Sequence, residues 1–227
     1  MHFLNGRVRK KGRNDATKPA TARRGRPIDP AKDRAILSAA RRLLFAAGPD
    51  AVTMDAVARA AAVSKATLYS RHRSRLSLLA VIAADEAAAL QRALAAPPAT
   101  RIALARDLED FVAALGELLS SRRHQRLMVA MGALGVARRD LATIYRNGPQ
   151  RTHDRLAEYL HAAAERKLLA CADADAAAEL LLGMAMGLDL VRTMYRVPRR
   201  HAVKRAWARE VVRAFLRAYA AGGARAA

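Results

Sequence analysis

The sequence predicts an all-α protein with an N-terminal three-helix domain and a larger C-terminal helical domain. Two observations lead to this fold class. Apolar residues recur at helical spacing along most of the chain, and no segment shows the alternation of a half-buried strand. Residues that end helices occur together at three places, Gly48-Pro49, Pro97-Pro98 and Asn147-Gly148-Pro149. The 227 residues, 52% of them hydrophobic, are enough to bury a core.

The charge of the chain indicates a polyanionic partner. The formal net charge is +21, and residues 1–79 hold 18 basic against 5 acidic side chains. Nucleic acid is favoured over a membrane, because neither a lipidation signal nor a long apolar span accompanies the charge. The basic N-terminal run is not followed by the apolar stretch of a secretory signal, so we expect a cytoplasmic protein.

The residues that usually carry catalysis or bind metals show no pattern of that kind. Cys171 is the single cysteine, and the six histidines lack ligand-like spacing. We interpret Cys171 as a small residue near a helix boundary. The sequence therefore predicts no metal site, no cofactor and no enzymatic activity, since no nucleophile and base pair up either.

Residues 1–27 form a basic segment without helical or strand periodicity. They hold nine Lys or Arg residues against one acid, which is typical of a flexible arm. Its end, the RGRP run that contains Arg24 and Arg26, is similar to an AT-hook core, in which an extended Arg-Gly-Arg backbone lies in the minor groove of A·T-rich DNA. The alternative is a solvated tail.

Residues 28–79 are predicted to form the three-helix domain. Asp29-Pro30 combines an N-cap carboxylate with Pro at the first helical position, and this helix should end at Gly48-Pro49. Thr53 and Ser64 are N-cap types that should begin two short helices, the first of them over about 53–61. Two helices joined by so short a turn form a helix-turn-helix.

The second of these short helices has the residue types of a helix that enters the DNA major groove. Small side chains at its N-terminal end let the backbone approach the bases, and nearby cations can contact phosphate or guanine. The alternative is an ordinary pair of surface helices with scattered cations. The predicted DNA-binding residues are Arg24, Arg26, Thr53, Ser64, Lys65, Ala66, Thr67, Tyr69, Arg71, Arg73 and Arg75.

The run from Ile36 to Leu79 resembles the DNA-binding domain of the TetR family of bacterial transcriptional regulators. The resemblance is carried by Phe45, Gly48, Thr53, Val57, Ala58, Ala61, Val63, Ser64, Thr67, Leu68, Tyr69, Ser74, Arg75 and Leu79. It implies an all-helical homodimer that binds a palindromic operator and, in most members, a repressor released by a small ligand. Ala62 stands where the family often has Gly, Arg75 replaces the usual Lys, and His72 replaces the usual aromatic residue.

Residues 80–222 are predicted to form a ligand-binding and dimerisation domain. Its segments NGPQRTHDRLAEYL, AAAELLLGMAMG and FLRAYA resemble the AefR-like subgroup of the same family. The predicted helices cover about 74–96, 100–121, 124–137, 140–146, 150–169, 173–197 and 199–220.

The last two of these helices are apolar enough to form a dimer interface. The segment around Gly183 and Gly187 is apolar nearly all round, and the two glycines offer a smooth strip for a second helix. We expect Gly183, Gly187, Trp207, Val211 and Phe215 to meet their copies across a two-fold axis. The alternative is an ordinary monomeric core.

A pocket for a small hydrophobic or aromatic effector is expected among the middle helices of this domain. Methionine adapts to irregular ligands, although apolar residues at helical spacing are more often plain core. The candidate lining residues are Phe111, Leu115, Met128, Met131, Tyr145, Tyr159 and Met184.

The sequence thus favours a ligand-released, homodimeric repressor that binds a palindromic operator. The alternative is a nonspecific basic DNA-binding or architectural protein without effector control. A regulator should prefer its own upstream region to bulk DNA by orders of magnitude, and this preference separates the two.

Overall fold

The computed structural model describes residues 29–132, 138–188, 191–192, 195, 197 and 204–220. In these ranges the chain folds into α-helices and two short 3₁₀ turns, without a strand, as the predicted all-α class requires. The helices are α1 (Pro30–Ala46), α2 (Met54–Ala60), α3 (Lys65–Arg71), α4 (Arg75–Gln91), α5 (Arg101–Ser120), α6 (Arg122–Gly132), α7 (Arg138–Asn147), α8 (Pro149–Glu165), α9 (Ala174–Met186) and α10 (Lys204–Ala218), and the 3₁₀ turns are Pro49–Ala51 and Arg92–Leu94.

The first three helices begin directly after the residues that were predicted to cap them. Asp29 accepts a hydrogen bond from the amide of Ala31. Thr53 and Ser64 do the same for the amides of Ala56 and Thr67, each at 3.1 Å. Each cap satisfies a backbone donor that has no partner within its helix, so short side chains at three positions fix where α1, α2 and α3 start.

The first hydrophobic core joins α1 to α4 with part of α6. Ile36 and Leu44 of α1, Leu68 of α3 and Ile82 of α4 are fully buried in it. Leu127, Ala130 and Met131 of α6 complete the same core. This core therefore extends beyond residue 79, where we expected the first domain to end.

Helix α6 is attached to the C-terminal end of α1 by polar contacts as well. The Arg123 guanidinium lies over the Phe45 ring, 5.2 Å from its centroid, and Arg126 donates a hydrogen bond to the Phe45 carbonyl oxygen. A guanidinium over an aromatic face gains from the negative potential of the ring. A helix of the second domain thus helps to hold the first.

The second core lies among α5, α8, α9 and α10. Phe111 of α5, Leu160 of α8, Leu181 of α9 and Phe215 of α10 are each at most 1% exposed. Helix α4 reaches both cores, because Leu79 is buried in the first and Leu90 in the second. The long helix predicted after Ser74 thus links the two parts, although its α-helical portion ends at Gln91 rather than near Ala96.

The predicted unbroken helix from 173 to 197 is wrong. Helix α9 begins after the Asp173 cap but ends at Met186, because Gly187 adopts φ +44°. A residue with this left-handed backbone angle ends a right-handed helix, and glycine adopts it without a Cβ clash. The predicted continuation of helix 124–137 past Gly132 lies outside the described residues, as do the arm and residues 221–222.

Candidate nucleic-acid interface

Helices α2 and α3 are joined by a tight turn in which Ala62 is left-handed, with φ +52°. The Ala62 amide donates to the Arg59 carbonyl oxygen at 3.1 Å and the Val63 amide to that of Ala58 at 3.0 Å. These two bonds define the Schellman end of a helix, in which the left-handed position is usually glycine. The resemblance already marked Ala62 as an unusual residue, and the structure shows that it occupies a conformation that glycine favours.

The N-terminal end of α3 presents small and polar side chains to solvent. Ser64, Lys65 and Ala66 are exposed, and Thr67 is partly buried. The Ser64 and Thr67 hydroxyl oxygens are 2.9 Å apart, in addition to the Ser64 cap on the Thr67 amide. These contacts hold the first turn of α3 in a defined shape, with no bulky side chain to keep its backbone away from a DNA groove.

Two of the predicted DNA-binding residues supply exposed groups farther along this surface. Tyr69 is 47% exposed, and Arg73 follows α3 with an exposed side chain. Within the described residues, no ion pair or hydrogen bond occupies the Arg73 guanidinium. Both groups are therefore available for phosphate contacts.

Arg71 points into the domain. Its guanidinium lies 2.6 Å from the Asp33 carboxylate and donates a 3.1 Å hydrogen bond to the Asp29 carbonyl oxygen. Its side chain is only 14% exposed. We therefore revise the prediction for Arg71 from a DNA contact to a residue that positions α3 against α1.

Arg75 has the same inward placement. It donates a 2.5 Å hydrogen bond to the Pro49 carbonyl oxygen and is partly buried. The guanidinium thus joins the start of α4 to the turn after α1, and it too is better described as a positioning residue. Thr53 is exposed, and its hydroxyl accepts the hydrogen bond that caps α2. Arg24 and Arg26 lie outside the described residues.

Sequence reasoning missed the ion pair between Lys65 and Asp55. The Lys65 ammonium lies 2.7 Å from the Asp55 carboxylate, and both side chains are more than half exposed. Asp55 lies in the first turn of α2, where negative charge stabilises a helix. Its partner depends on how α2 and α3 cross, which no local pattern encodes.

His72 ends α3 as a buried residue, 8% exposed, whose Nε2 atom has no hydrogen-bond partner in the described part of the chain. Burial lowers the pKa of the imidazole below its ordinary value of 6.5. The Asp33 carboxylate opposes this change, and the Arg71 guanidinium reinforces it. The ring therefore fills the place of the usual aromatic residue as a neutral group.

The predicted effector-lining residues do not converge on one place. Phe111, Leu115 and Tyr159 are buried in the second core and Met184 packs against it. Met131 belongs to the first core, while Met128 and Tyr145 are 40% and 53% exposed.

A polar contact lies among the buried members of this set. The Tyr159 hydroxyl donates a 2.6 Å hydrogen bond to the Asp107 carboxylate. Burial, followed by that bond, raises the pKa of Tyr159 far above its ordinary value. The phenol therefore stays protonated, and the contact is a strong donor–acceptor pair between α8 and α5.

The predicted dimer residues fall into two groups. Val211 and Phe215 are buried within the protomer, at 3% and 1% exposure, so their side chains pack inside one copy of the chain. Gly183, Gly187 and Trp207 are exposed. The Trp207 indole also donates a 3.1 Å hydrogen bond to the Ala185 carbonyl oxygen, which ties the two helices together.

The part of the chain that the structure describes contains no helix both long and apolar enough to cross a bilayer. In the same ranges, no three His, Cys, Asp or Glu side chains are grouped so that they could hold a metal ion.

The fold and the geometry of α2 and α3 define a DNA-binding transcriptional regulator of the helix-turn-helix class. Residues 36–82 match the family described as bacterial regulatory proteins, tetR family, and residues 106–221 match the AefR-like transcriptional repressor C-terminal domain. The chain belongs to the TetR family.

Individual relatives agree with this assignment. An uncharacterised HTH-type transcriptional regulator of Bacillus subtilis (strain 168) is 56% identical over 48 residues, which are 21% of this chain and 24% of that protein. This match thus spans about a quarter of the length of the relative.

Two solved structures cover most of the chain. The flavonoid-responsive regulator FrrA is similar over 84% of this chain and 97% of its own, with a TM-score of 0.63 and 28% identity. A TetR transcriptional regulator from Agrobacterium tumefaciens covers 83% of this chain and 94% of its own, with a TM-score of 0.66 and 27% identity.

Proposed function

We propose that the protein is a homodimeric repressor that binds a palindromic operator and releases it when a small hydrophobic or aromatic effector binds. The observation that carries this proposal is the N-terminal end of α3. Its exposed residues are small or cationic, and the Ser64 cap and the Arg71–Asp33 ion pair fix both ends of the helix. A rigid, unobstructed helix end of this kind suits insertion into the major groove.

Dimerisation would use the surface around Gly183. Leu180 and Leu188 are 56% and 63% exposed, and Trp207, which is 38% exposed, lies beside Gly187. Large apolar side chains grouped on one face favour burial against a second copy. A two-fold dimer would hold its two α3 helices about 34–36 Å apart, the distance between successive major grooves on one side of DNA.

The effector would enter the second core, where Phe111, Leu115, Tyr159 and Met184 lie. The name of FrrA states that it responds to flavonoids, and this supports an aromatic ligand for a chain of similar fold and 28% identity. The Asp107–Tyr159 hydrogen bond offers a polar pair to which a phenolic or hydroxylated ligand could bind. Bound effector would favour a different spacing of the two α3 helices and so shift the population away from the DNA-binding form.

The basic arm would add a minor-groove contact through Arg24 and Arg26, next to the groove that α3 enters. Removal of residues 1–27 should weaken operator binding and flatten its salt dependence. An unchanged affinity and slope would contradict a role of the arm. Binding to chromosomal DNA would place the protein in the cytoplasm.

The test is to select binding sequences from a random DNA library and to footprint the protein on the DNA that flanks its own gene. A repressor should enrich an inverted repeat and bind it at least about 10³-fold more tightly than bulk DNA. Equal binding to all sequences would support the alternative of a nonspecific architectural protein. Light scattering that shows a monomer at micromolar concentration would exclude the dimer.

Variants of α3 test its orientation. Lys65→Ala and Tyr69→Phe should each lower the affinity for the operator and for its single-base variants by the same factor, because both residues would contact phosphate. Replacement of Ala66 or Thr67 should instead change which bases are preferred. If Lys65→Ala binds the operator as tightly as the wild type at equal salt, the proposed orientation of α3 is wrong.

A further inference from the structure

Asp55 is the one acidic residue between Thr53 and Arg75, a stretch that holds five basic residues. Its carboxylate lies 2.7 Å from the ammonium of Lys65, the first residue of α3. The pair is exposed, since 64% of the Lys65 side chain and 57% of the Asp55 side chain are accessible to solvent. The single negative charge of the helix-turn-helix thus neutralises the cation closest to the predicted groove-entering end.

Capping of α2 does not require this carboxylate. Thr53 supplies the N-cap, and its hydroxyl accepts the hydrogen bond from the Ala56 amide. Within α2, the carboxylate of Asp55 contributes a favourable negative charge to the first turn. This contribution does not depend on the ion pair with Lys65.

We propose that Asp55 adds to specificity by holding Lys65 away from DNA until α3 is seated in its operator. This inference rests on the proposed function, in which Lys65 contacts the DNA backbone. On nonspecific DNA the ion pair stays closed, so Lys65 displaces no counterion from the phosphates. In the operator complex the ammonium exchanges the carboxylate for a phosphate, and this exchange is easy because an exposed ion pair contributes at most about 1 kcal/mol.

The net charge explains why such a restraint is useful. A chain with a net charge of +21 is attracted to any DNA, and each phosphate that it neutralises strengthens binding without regard to sequence. A cation that becomes available only in the correct complex adds affinity for the operator alone. Specificity is the difference between these two affinities.

The salt dependence of binding measures the proposed exchange. The affinities of wild type and Asp55→Asn are measured against salt on two duplexes of equal length, one selected by the protein and one of random sequence. On random DNA, Asp55→Asn should steepen the slope of log affinity against log salt by about 0.9 for each domain bound, since one more phosphate is neutralised. On the selected duplex the slope should stay unchanged, because Lys65 is already engaged there.

Asp85→Asn is the matched control. Asp85 forms an ion pair with Arg41 at 2.5 Å between α4 and α1, and its removal adds the same charge to the same part of the chain. This control should leave both slopes unchanged. In a Lys65→Ala background, Asp55→Asn should no longer steepen the slope on random DNA. Thermal unfolding checks that all variants are folded, and Asp55→Glu, which keeps the charge, should behave as the wild type.

Three outcomes would overturn the inference. The first is an unchanged slope for Asp55→Asn on random DNA, and the second is an equal change for Asp85→Asn. The third is weaker binding of the selected duplex by Asp55→Asn, which would show that the carboxylate contacts DNA favourably, for example by accepting a hydrogen bond from a cytosine amino group. Failure of the proposed function is distinct from these, because then no sequence would be enriched by the selection.

Discussion

The Arg71 guanidinium lies 2.6 Å from the Asp33 carboxylate, and this ion pair joins the last turn of α3 to α1. The same guanidinium donates a hydrogen bond to the Asp29 carbonyl oxygen, at the point where the chain enters α1. The orientation of α3 is therefore fixed at its C-terminal end by α1 and at its N-terminal end by the Ser64 cap.

Replacement of Asp33 by Asn should loosen this attachment. Because Arg71 is largely buried, loss of the carboxylate leaves its charge without a full partner and should lower the free energy of unfolding by roughly 1–2 kcal/mol. Urea unfolding at pH 7.5 measures the change. Asp85→Asn breaks a more exposed pair and should lower this free energy by less than about 1 kcal/mol. Equal losses in the two variants would contradict the positioning role of Arg71.

His72 should make the stability of the protein fall in acid. Burial lowers the pKa of the folded imidazole below the unfolded value of 6.5, so the unfolded chain binds the proton more tightly. The contribution of His72 to the stability of the protein is therefore fully present above pH 6.5, and it is lost as the pH falls through the lowered pKa.

The measurement is the melting temperature of wild type and His72→Phe at pH 7.5 and pH 5.5. The variant should lose less stability between these two values, since its aromatic ring cannot take up a proton. His161→Gln is the control, because His161 has a side chain 69% exposed. A wild-type decline that His72→Phe leaves unchanged would assign the acid sensitivity to other groups.

Ala62→Gly should stabilise the protein. Ala62 has φ +52°, and a left-handed residue with a Cβ is strained by roughly 1–2 kcal/mol, whereas glycine is not. The greater freedom of glycine in the unfolded chain offsets about 0.4–1 kcal/mol, so the net gain should be about 0.5–1 kcal/mol.

Ala61→Gly is the matched control for Ala62→Gly. Ala61 has φ −91°, which alanine adopts without strain, so glycine there should only destabilise. Thermal unfolding of both variants should give melting temperatures that change in opposite directions. A lower melting temperature for Ala62→Gly would show that the turn gains nothing from a residue without a Cβ.

Gly183→Leu should separate the proposed dimer into folded monomers. Apart from its chain neighbours and the backbone of its own helix, nothing in the described protomer lies within 4 Å of the place that a Cβ at Gly183 would occupy, so a Cβ there meets open space in the monomer. In a dimer it would stand where the second copy must approach closely. Light scattering and operator binding should both show the loss of the dimer, with helical content retained.

Gly116→Leu provides the comparison, since Gly116 lies within α5 and also has nothing within 4 Å of its would-be Cβ. This variant should remain dimeric. If Gly183→Leu also remains dimeric, the interface lies on another surface.

Local rules were sufficient to predict where the first three helices begin. Asp29, Thr53 and Ser64 cap α1, α2 and α3 as predicted, because a cap depends on a side chain and an amide only two or three residues apart. The α9 prediction failed at Gly187, since hydrophobic periodicity does not reveal the backbone angle that a glycine adopts. The directions of Arg71 and Arg75 were also beyond the sequence, as their partners lie 42 and 26 residues away.

The sequence by itself determined the helical class, the helix-turn-helix and the family. Periodicity, caps and motif spacing are local or fixed along the chain, so they can be read without a structure. The tertiary structure alone decided which arginines remain available to DNA, that α6 completes the first core, and that Asp55 meets Lys65. These relationships depend on how helices cross, and the crossing is set by packing among residues distant in sequence.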